Sequence, residues 1–240
     1  MTDLQNWTPR PKPERKIFEG RYVRLEPLNA QKHGDELFAA SSVEDAEQRF
    51  TWLFETPPAT RAEFEPWLDK ASKSDDPLFF AVIDKASEQS GRSAGADAHR
   101  PGKWRDRDQE HLLGPLISRR PAATEAQFLF MQYVFDVLGY RRYEWECHNE
   151  NGPSRRAAER FGFRFEGIFR QHMVVKGRNR DTAWFSVLDS EWPALKQAYQ
   201  AWLAPENFDS AGQQKKTLQE FRGSWLSARK ATRRSPPPSS

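Results

Sequence analysis

The sequence holds one cysteine among 240 residues, Cys147. A single thiol excludes an internal disulfide and a zinc site built from several cysteines. No apolar run approaches the ~18 residues that a membrane-spanning helix needs, so no membrane partner is expected. Met1 to Lys16 carries charges and prolines but no continuous apolar stretch of the secretory kind, and the expectation is a cytoplasmic protein. Charge of one sign is also scarce. Thirty-seven Lys and Arg against 34 Asp and Glu leave +3, too little to call for nucleic acid as a partner. The basic excess gathers in Arg222 to Arg234, ahead of a Ser-Pro-Pro-Pro-Ser-Ser end, which is the composition of a solvated tail.

What is present is polar but sufficient for a core. Hydrophobic residues make up 37% and charged residues 30%, and the length suits one domain. Residues 1–19 read as a lead-in, 20–204 as the domain and 205–240 as a charged, largely disordered tail. Val23 and Leu25 alternate with charge in a strand from Tyr22 to Pro27, and Leu78 to Ile83 is an apolar run suited to a buried strand. Helices are expected around Gln31 to Ala40 and Arg61 to Ser72. Thr124 to Leu138 reads as a deeply set helix, capped by Thr124 and ended by Gly139. Tyr143, Trp145 and Cys147 alternate in a strand. Asn151 to Arg160 is a short helix closed by Phe161-Gly162-Phe163. Further strands run from Phe163 to Arg170, Met173 to Val175 and Thr182 to Leu188, with Lys176 to Arg180 as a hairpin turn and a last helix from Glu191 to Leu203. The pattern is mixed α/β.

Two segments carry chemistry. Ser118-Arg119-Arg120-Pro121-Ala122-Ala123-Thr124 leads straight into a helix, whose unpaired N–H groups and partial positive charge suit phosphate. A solvated turn would explain the Arg pair equally well. Asn149 to Ser154 precedes the next short helix, and an Asn followed three residues later by Ser is also an ordinary helix start with Asn151 as its cap.

The order of these segments resembles the GNAT superfamily of acyl-coenzyme A-dependent N-acetyltransferases, and within it the ribosomal-protein alanine acetyltransferases (RimJ and RimL). The matching text is Thr124-Glu-Ala126, Leu138-Gly-Tyr140, Asn151-x-x-Ser154, Ala157-Ala-Glu-Arg-Phe-Gly-Phe163, Glu166-Gly167, Arg170, Asp181-x-x-x-Phe185-Ser186 and Leu188-x-x-Glu-Trp192. The resemblance implies the acyl-CoA N-acyltransferase fold: a mixed, mostly antiparallel central sheet flanked by helices, splayed between its fourth and fifth strands. It further implies acetyl-CoA as co-substrate, with Ser118 to Thr124 holding its pyrophosphate, Asn151 meeting its pantetheine arm and Ser154 protonating the leaving thiolate. An amine of a protein N-terminus or small molecule would attack the thioester directly, without metal or covalent intermediate, leaving Cys147 to the core. Glu144, Glu146, His148 and His172 are candidate bases. One departure stands out: where the family's phosphate loop has glycine, this chain has Pro121, which removes an N–H.

Residues 87–113 break the pattern. GNAT proteins carry their third and fourth strands here, yet Ala96 to His111 is almost devoid of alternating apolar residues, so this part of the sheet is expected to be disrupted. Under one permissible choice of codons, Ala96 onward read one nucleotide later gives Leu-Met-Arg-Ile-Asp-Pro-Ala-Asn-Gly-Val-Ile-Glu-Ile-Arg-Asn-Ile-Tyr-Trp-Gly, which is a strand, a turn and a strand. Two compensating frameshifts across about 96–113 would produce this, and so the alternative to an active enzyme is an impaired relic of the fold. A genuine insertion is the competing origin. A basic adaptor contacting RNA through the tail is a third class, resting on composition alone.

Overall fold

Seven consecutive buried residues, Leu78–Asp84, form the strand around which the fold is layered. A strand can be apolar on both faces only if both are covered. Here Leu78, Phe80 and Val82 point into a large core, and Phe79 and Ala81 into a smaller one. The computed structural model describes residues 5, 7–87, 89–100, 103–107 and 120–223, with backbone course alone through the two segments between 89 and 107.

The strands are β1 (Phe18–Glu19), β2 (Val23–Pro27), β3 (Leu78–Asp84), β4 (Gln89–Arg100), β5 (Lys103–Arg107), β6 (Arg142–His148), β7 (Arg164–Val175) and β8 (Arg178–Leu188). They make one sheet in the order β1-β2-β3-β4-β5-β6-β8-β7. Every pairing is antiparallel except β5 with β6, which is parallel. Helices α1 (Ala30–Ser41) and α3 (Arg61–Lys73) cover the smaller core, with the short α2 (Ala46–Phe50) between them. On the other face α4 (Pro121–Gln132), α5 (Gly152–Phe161) and α6 (Trp192–Leu203) close the larger core. This is the mixed, mostly antiparallel sheet flanked by helices that the sequence implies.

The structure differs from the sequence reading at four places. The chain between 87 and 113 was expected to interrupt the sheet, but its backbone runs as β4 and β5, filling the third and fourth positions of the GNAT order. The ladder needs only main-chain groups, and β3 and β6 would otherwise each present an unpaired edge. The pairing is irregular, with register shifts between Val82 and Ile83 and between Asp97 and Arg100. Secondly, the long helix starts at Pro121 with Arg120 as N-cap, not at Thr124. Proline at the first helical position has a suitable φ and no N–H to satisfy, and Thr124 therefore sits within the first turns, fully buried. The same helix ends in a wider turn, Tyr133–Val137, before Gly139 reverses the chain at φ +67°. Thirdly, β7 is continuous and the hairpin turn is only Lys176–Gly177, both at positive φ. Lastly, packed chain extends past 204. Leu218 is buried, Asn207 bonds to Trp202 and Lys216, and Arg222 Nη1 donates to the Glu159 carbonyl at 2.7 Å. Residues 224–240 lie outside the described part, as do 1–4.

One buried side chain ties the two ends of the large core together. Glu125, in α4, accepts backbone N–H bonds from Arg21 at 2.8 Å, Tyr22 at 2.6 Å and Val23 at 2.9 Å. Gly20 belongs to the same contact, because a Cβ there would fall 2.4 Å from Glu125 Oε2. Removing the carboxylate would orphan three buried or half-buried donors at once, where hydrogen bonds to a charged group are worth about 1.5–3 kcal/mol each. Glu125→Ala is therefore expected to lower the free energy of unfolding by at least about 3 kcal/mol in urea titration. A loss under about 1 kcal/mol would contradict this role.

Candidate functional site

The first turn of α4 lacks a side-chain cap. Its N-cap is Arg120, whose side chain offers no acceptor to the helix, where Ser, Thr, Asp or Asn would normally close the turn. The N–H of Ala123 bends back to the Arg120 carbonyl at 3.2 Å. Thr124, one turn into the helix, has its N–H on the same carbonyl, and Pro121 contributes no donor, so the N–H groups of Arg120 and Ala122 are the ones the helix leaves open. Arg120 Nη1 is 3.0 Å from Asp84 Oδ2, and this ion pair offsets part of the positive charge at the helix end. Ser118 and Arg119 lie outside the described residues. Of the seven residues expected to hold a diphosphate, the structure thus brings together Arg120, Pro121, Ala122, Ala123 and Thr124.

Asn151 and Ser154 sit at the start of α5. Asn151 is its N-cap, accepting from the Ser154 N–H at 3.1 Å, so the ordinary capping role is realised. That leaves the Asn151 amide donor group for other partners. Ser154 Oγ accepts from Trp145 Nε1 at 3.1 Å. An indole can only donate, so this bond fixes the oxygen while directing the hydroxyl proton elsewhere. The sequence marks Trp145 only as one of the alternating residues of a strand, and that alternation gives no sign that its polar edge serves a neighbouring helix.

Arg160 was missed as well. It projects from the last turn of α5, and its Nη2 donates to Thr124 Oγ1 at 2.9 Å. Its guanidinium also lies 4.5 Å from the Phe161 ring centroid. Burial holds its pKa below the usual arginine value. The bond joins the first turns of α4 to the end of α5, and six residues of helix separate Arg160 from Ser154, about 9 Å along the axis. The two halves of the expected site therefore share one face of the sheet, linked by this side chain.

The four candidate bases fare differently. Glu144 and Glu146 are buried on β6, on the face opposite Tyr143, Trp145 and Cys147. Glu144 is paired with Arg142 at 2.5 Å, and Arg142 in turn holds Glu166 through both oxygens. These contacts raise the Arg142 pKa further and keep Glu144 occupied as a counter-ion. His148 Nδ1 accepts the Glu150 N–H at 3.1 Å, which engages the lone pair a base would need. His172 Nδ1 faces Thr182 Oγ1 at 2.9 Å, while Arg180 Nε reaches the same oxygen at 3.4 Å. Thr182 Oγ1 thus accepts from Arg180, and the tautomer of His172 sets the direction of its bond to the same hydroxyl. Asp181 closes the hairpin beside them, its pKa lowered by the Gln171 N–H and then by Asn179. Glu146 is buried on the same face as Glu144, with Trp184 opposite on β8.

The splay expected between the fourth and fifth strands does not begin within the described chain. β5 stays paired with β6 from Lys103 opposite Arg142 to Arg107 opposite Glu146. No group of three or more His, Cys, Asp or Glu among the described residues is arranged to hold a metal, and none of their helices is long and apolar enough to cross a membrane.

Comparison with known proteins follows this geometry. Residues 23–164 match the family described as acetyltransferase (GNAT) domain. The crystal structure of a GCN5-related N-acetyltransferase from Brucella melitensis is 88% identical, superposes with a TM-score of 0.89, and covers 92% of this chain and 100% of its own. A ribosomal-protein-S5-alanine acetyltransferase from Vibrio fischeri shares the fold at 15% identity and TM-score 0.53, over 74% of this chain and 98% of its own. The uncharacterized N-acetyltransferase YnaD of Bacillus subtilis is 27% identical over 81 residues, which is 34% of this chain and about half of that relative, 48%.

The Arg160 bond gives a direct check on how the helices are joined. Thr124→Val removes the acceptor from a buried guanidinium and is expected to cost about 1.5–3 kcal/mol of stability in chemical denaturation, whereas Thr124→Ser, which keeps the oxygen, stays within about 1 kcal/mol of the parent. Equal losses in both variants would refute the bond's importance.

Proposed function

This chain belongs to the acetyltransferase (GNAT) domain family, an N-acetyltransferase by that membership, and from that premise we propose that it moves the acetyl group of acetyl-CoA onto a primary amine of a protein N-terminus or a small molecule. Within the family, its text from Thr124 to Trp192 resembles the ribosomal-protein alanine acetyltransferases. The observation that carries the reading is the uncapped first turn of α4 beside Arg120, joined through Arg160 to the helix that bears Asn151 and Ser154. The residues fit the co-substrate: helix N–H groups and an arginine suit a diphosphate, and an amide donor suits the pantetheine arm.

The roles follow from this arrangement. Arg120 and Ala122 offer their N–H groups to the diphosphate, with the Arg120 guanidinium adding charge and Ala123 and Thr124 completing the turn against which it rests. Asn151 orients the pantetheine. The neutral amine attacks the thioester carbon, the carbon–sulfur bond breaks, Ser154 gives its proton to the departing sulfur, and the proton shed by the new amide nitrogen restores the Ser154 hydroxyl through solvent, leaving amide and free thiol. Trp145 positions Ser154 without touching the reacting atoms. Holding both reactants in one geometry supplies most of the acceleration, as no covalent intermediate is involved.

Ligand binding to the folded state alone raises the melting temperature. At a hundred times its dissociation constant, acetyl-CoA should add about 2.7 kcal/mol, a rise of roughly 5–10 °C for a chain of this size. Ser154→Ala should keep that rise and lose roughly a hundredfold in kcat. Trp145→Phe should lose roughly threefold to tenfold in kcat, the worth of one hydrogen bond, with KM for acetyl-CoA unchanged. No rise with acetyl-CoA, together with full activity in Ser154→Ala, would reject these assignments.

A second reading, an impaired relic, has its own support. The 12% of aligned positions at which the Brucella melitensis protein differs, taken over 92% of 240 residues, come to roughly 26. The stretch 87–113 is 27 residues long, and the relic reading requires those differences to gather there. If two frameshifts lie across 96–113, a chain carrying the shifted-frame residues there should gain at least about tenfold in turnover and melt higher, since alternating apolar residues would then fill β4 and β5. Equal turnover and stability in both chains would rule the relic out.

A further inference from the structure

Away from the cleft between α4 and α5, a cavity of about 360 Å³ opens between the loop after α2 and the helix α3, a size typical of small-molecule sites. Its walls are mainly apolar, with Phe50, Phe54, Phe64 and Trp67 supplying four aromatic rings. Only two charged residues line it, and both are carboxylates, Glu55 and Glu63. Glu63 is committed to its own helix, where Oε2 accepts the Ala59 N–H at 2.9 Å. Glu55 is not. No cation lies within ion-pairing distance of its carboxylate among the described residues, and burial raises its pKa in spite of Lys176 and Lys70 at longer range. Lys176 is turned away to the Phe50 carbonyl, to which its Nζ donates at 2.9 Å. A half-buried carboxylate among aromatic faces, without a counter-ion, favours a cation that brings its own apolar body.

The same loop reaches the candidate active site. Trp52, three residues before Glu55, packs against His148 with ring centroids 4.5 Å apart and planes tilted by 42°. Arg180 of the hairpin strand lies 4.9 Å from the Phe54 centroid and donates to the Trp52 carbonyl at 3.2 Å. His148 in turn is bonded through its carbonyl to the Asn151 N–H at 2.9 Å, at the start of the helix that bears Ser154. Three residues of chain span at most ~11 Å, so a flexible molecule a few carbons long could extend from the cavity toward that end of the sheet.

We infer that this cavity selects the acceptor by its far end, taking an alkylammonium group on an apolar stem with Glu55 as counter-charge, so that diamine-like molecules are preferred over monoamines of the same length. The inference rests on the acetyltransferase reading for the fate of the other amine, but not for binding in the cavity. Phe64 and Trp67 are already stacked, with centroids 5.2 Å apart, and form a rigid wall for the stem. Glu55 acts as a specificity residue and takes no part in the bond changes.

Two measurements on the full chain test this separately. Calorimetric titration with hexamethylenediamine, without co-substrate, should show binding that weakens at least about tenfold in Glu55→Gln, the equivalent of roughly 1.4 kcal/mol, and is regained in Glu55→Asp. In acetyl transfer, the ratio of kcat/KM for hexamethylenediamine over hexylamine should fall by a similar factor in Glu55→Gln, mostly through KM. Absent binding to the parent chain, or equal binding and an unchanged ratio in Glu55→Gln with an unchanged melting temperature, overturns the proposal. If acetyl-CoA raises the melting temperature while the diamine does not depend on Glu55, the cavity assignment falls and the acetyltransferase reading survives. Diamine binding that depends on Glu55, in a chain that ignores acetyl-CoA, upholds the cavity and removes the acetyltransferase reading.

Discussion

The carboxylate of Glu125 holds the place of the helix on which the candidate site is built. It gathers the N–H groups of Arg21, Tyr22 and Val23 onto α4, and so locks the first long strand of the sheet against the turn that follows Arg120. Because the carboxylate is buried and its acceptor capacity is used by main-chain donors, the contact is directional where the surrounding apolar packing is not. Shifting α4 by a fraction of a turn would break three such bonds together. The open N–H groups at its beginning are therefore presented at a fixed point of the sheet surface, and preorganised donors of this kind are effective because they need no rearrangement when an anion arrives.

A second link makes the site one unit. Arg160 crosses from α5 to Thr124, and Trp145 reaches from the sheet to Ser154. Both bonds use polar tips of residues whose bodies are packed, so the position of each reacting group is set by the core. The opposite face of the same strands has another character. There Arg142, Glu144 and Glu166 staple β6 to β7, and the hairpin of β7 and β8 grips the loop from Trp52 to Glu55. On the proposed function, the large core would position the diphosphate and the sulfur, and the loop and hairpin on the other side would shape the space left for an amine.

Much of this was legible in the amino-acid order. Leu78 to Ile83 announced a strand buried on both faces, Gly139 and Gly162 marked the ends of helices, and Asn151 with Ser154 marked the start of one. Glu125 was visible only as part of Thr124-Glu-Ala126; nothing in a sequence says that a glutamate in an apolar helix faces three backbone donors 100 residues earlier. Arg160 and Trp145 were hidden for the same reason, since their partners are set by packing between elements distant in the chain. Thr124 was misjudged because its residue type suits a cap, while Pro121 is a stronger start signal at the first helical position. The stretch from 87 to 113 shows the reverse conflict. Its side-chain pattern argues against strands, yet the unsatisfied edges of β3 and β6 call for main-chain partners, and backbone pairing prevails there with broken register. The packing of Leu218 and Arg222 could not be read from a segment so polar in composition.

The central claim is that the uncapped turn of α4 and the hydroxyl of Ser154 bind the two ends of one co-substrate molecule. A crystal structure of the chain grown with coenzyme A tests it most directly. The diphosphate should lie within hydrogen-bond distance of the Arg120 and Ala122 N–H groups, and the thiol within about 4 Å of Ser154 Oγ. Coenzyme A ordered elsewhere, with the start of α4 vacant and Ser154 remote from the sulfur, would contradict the account.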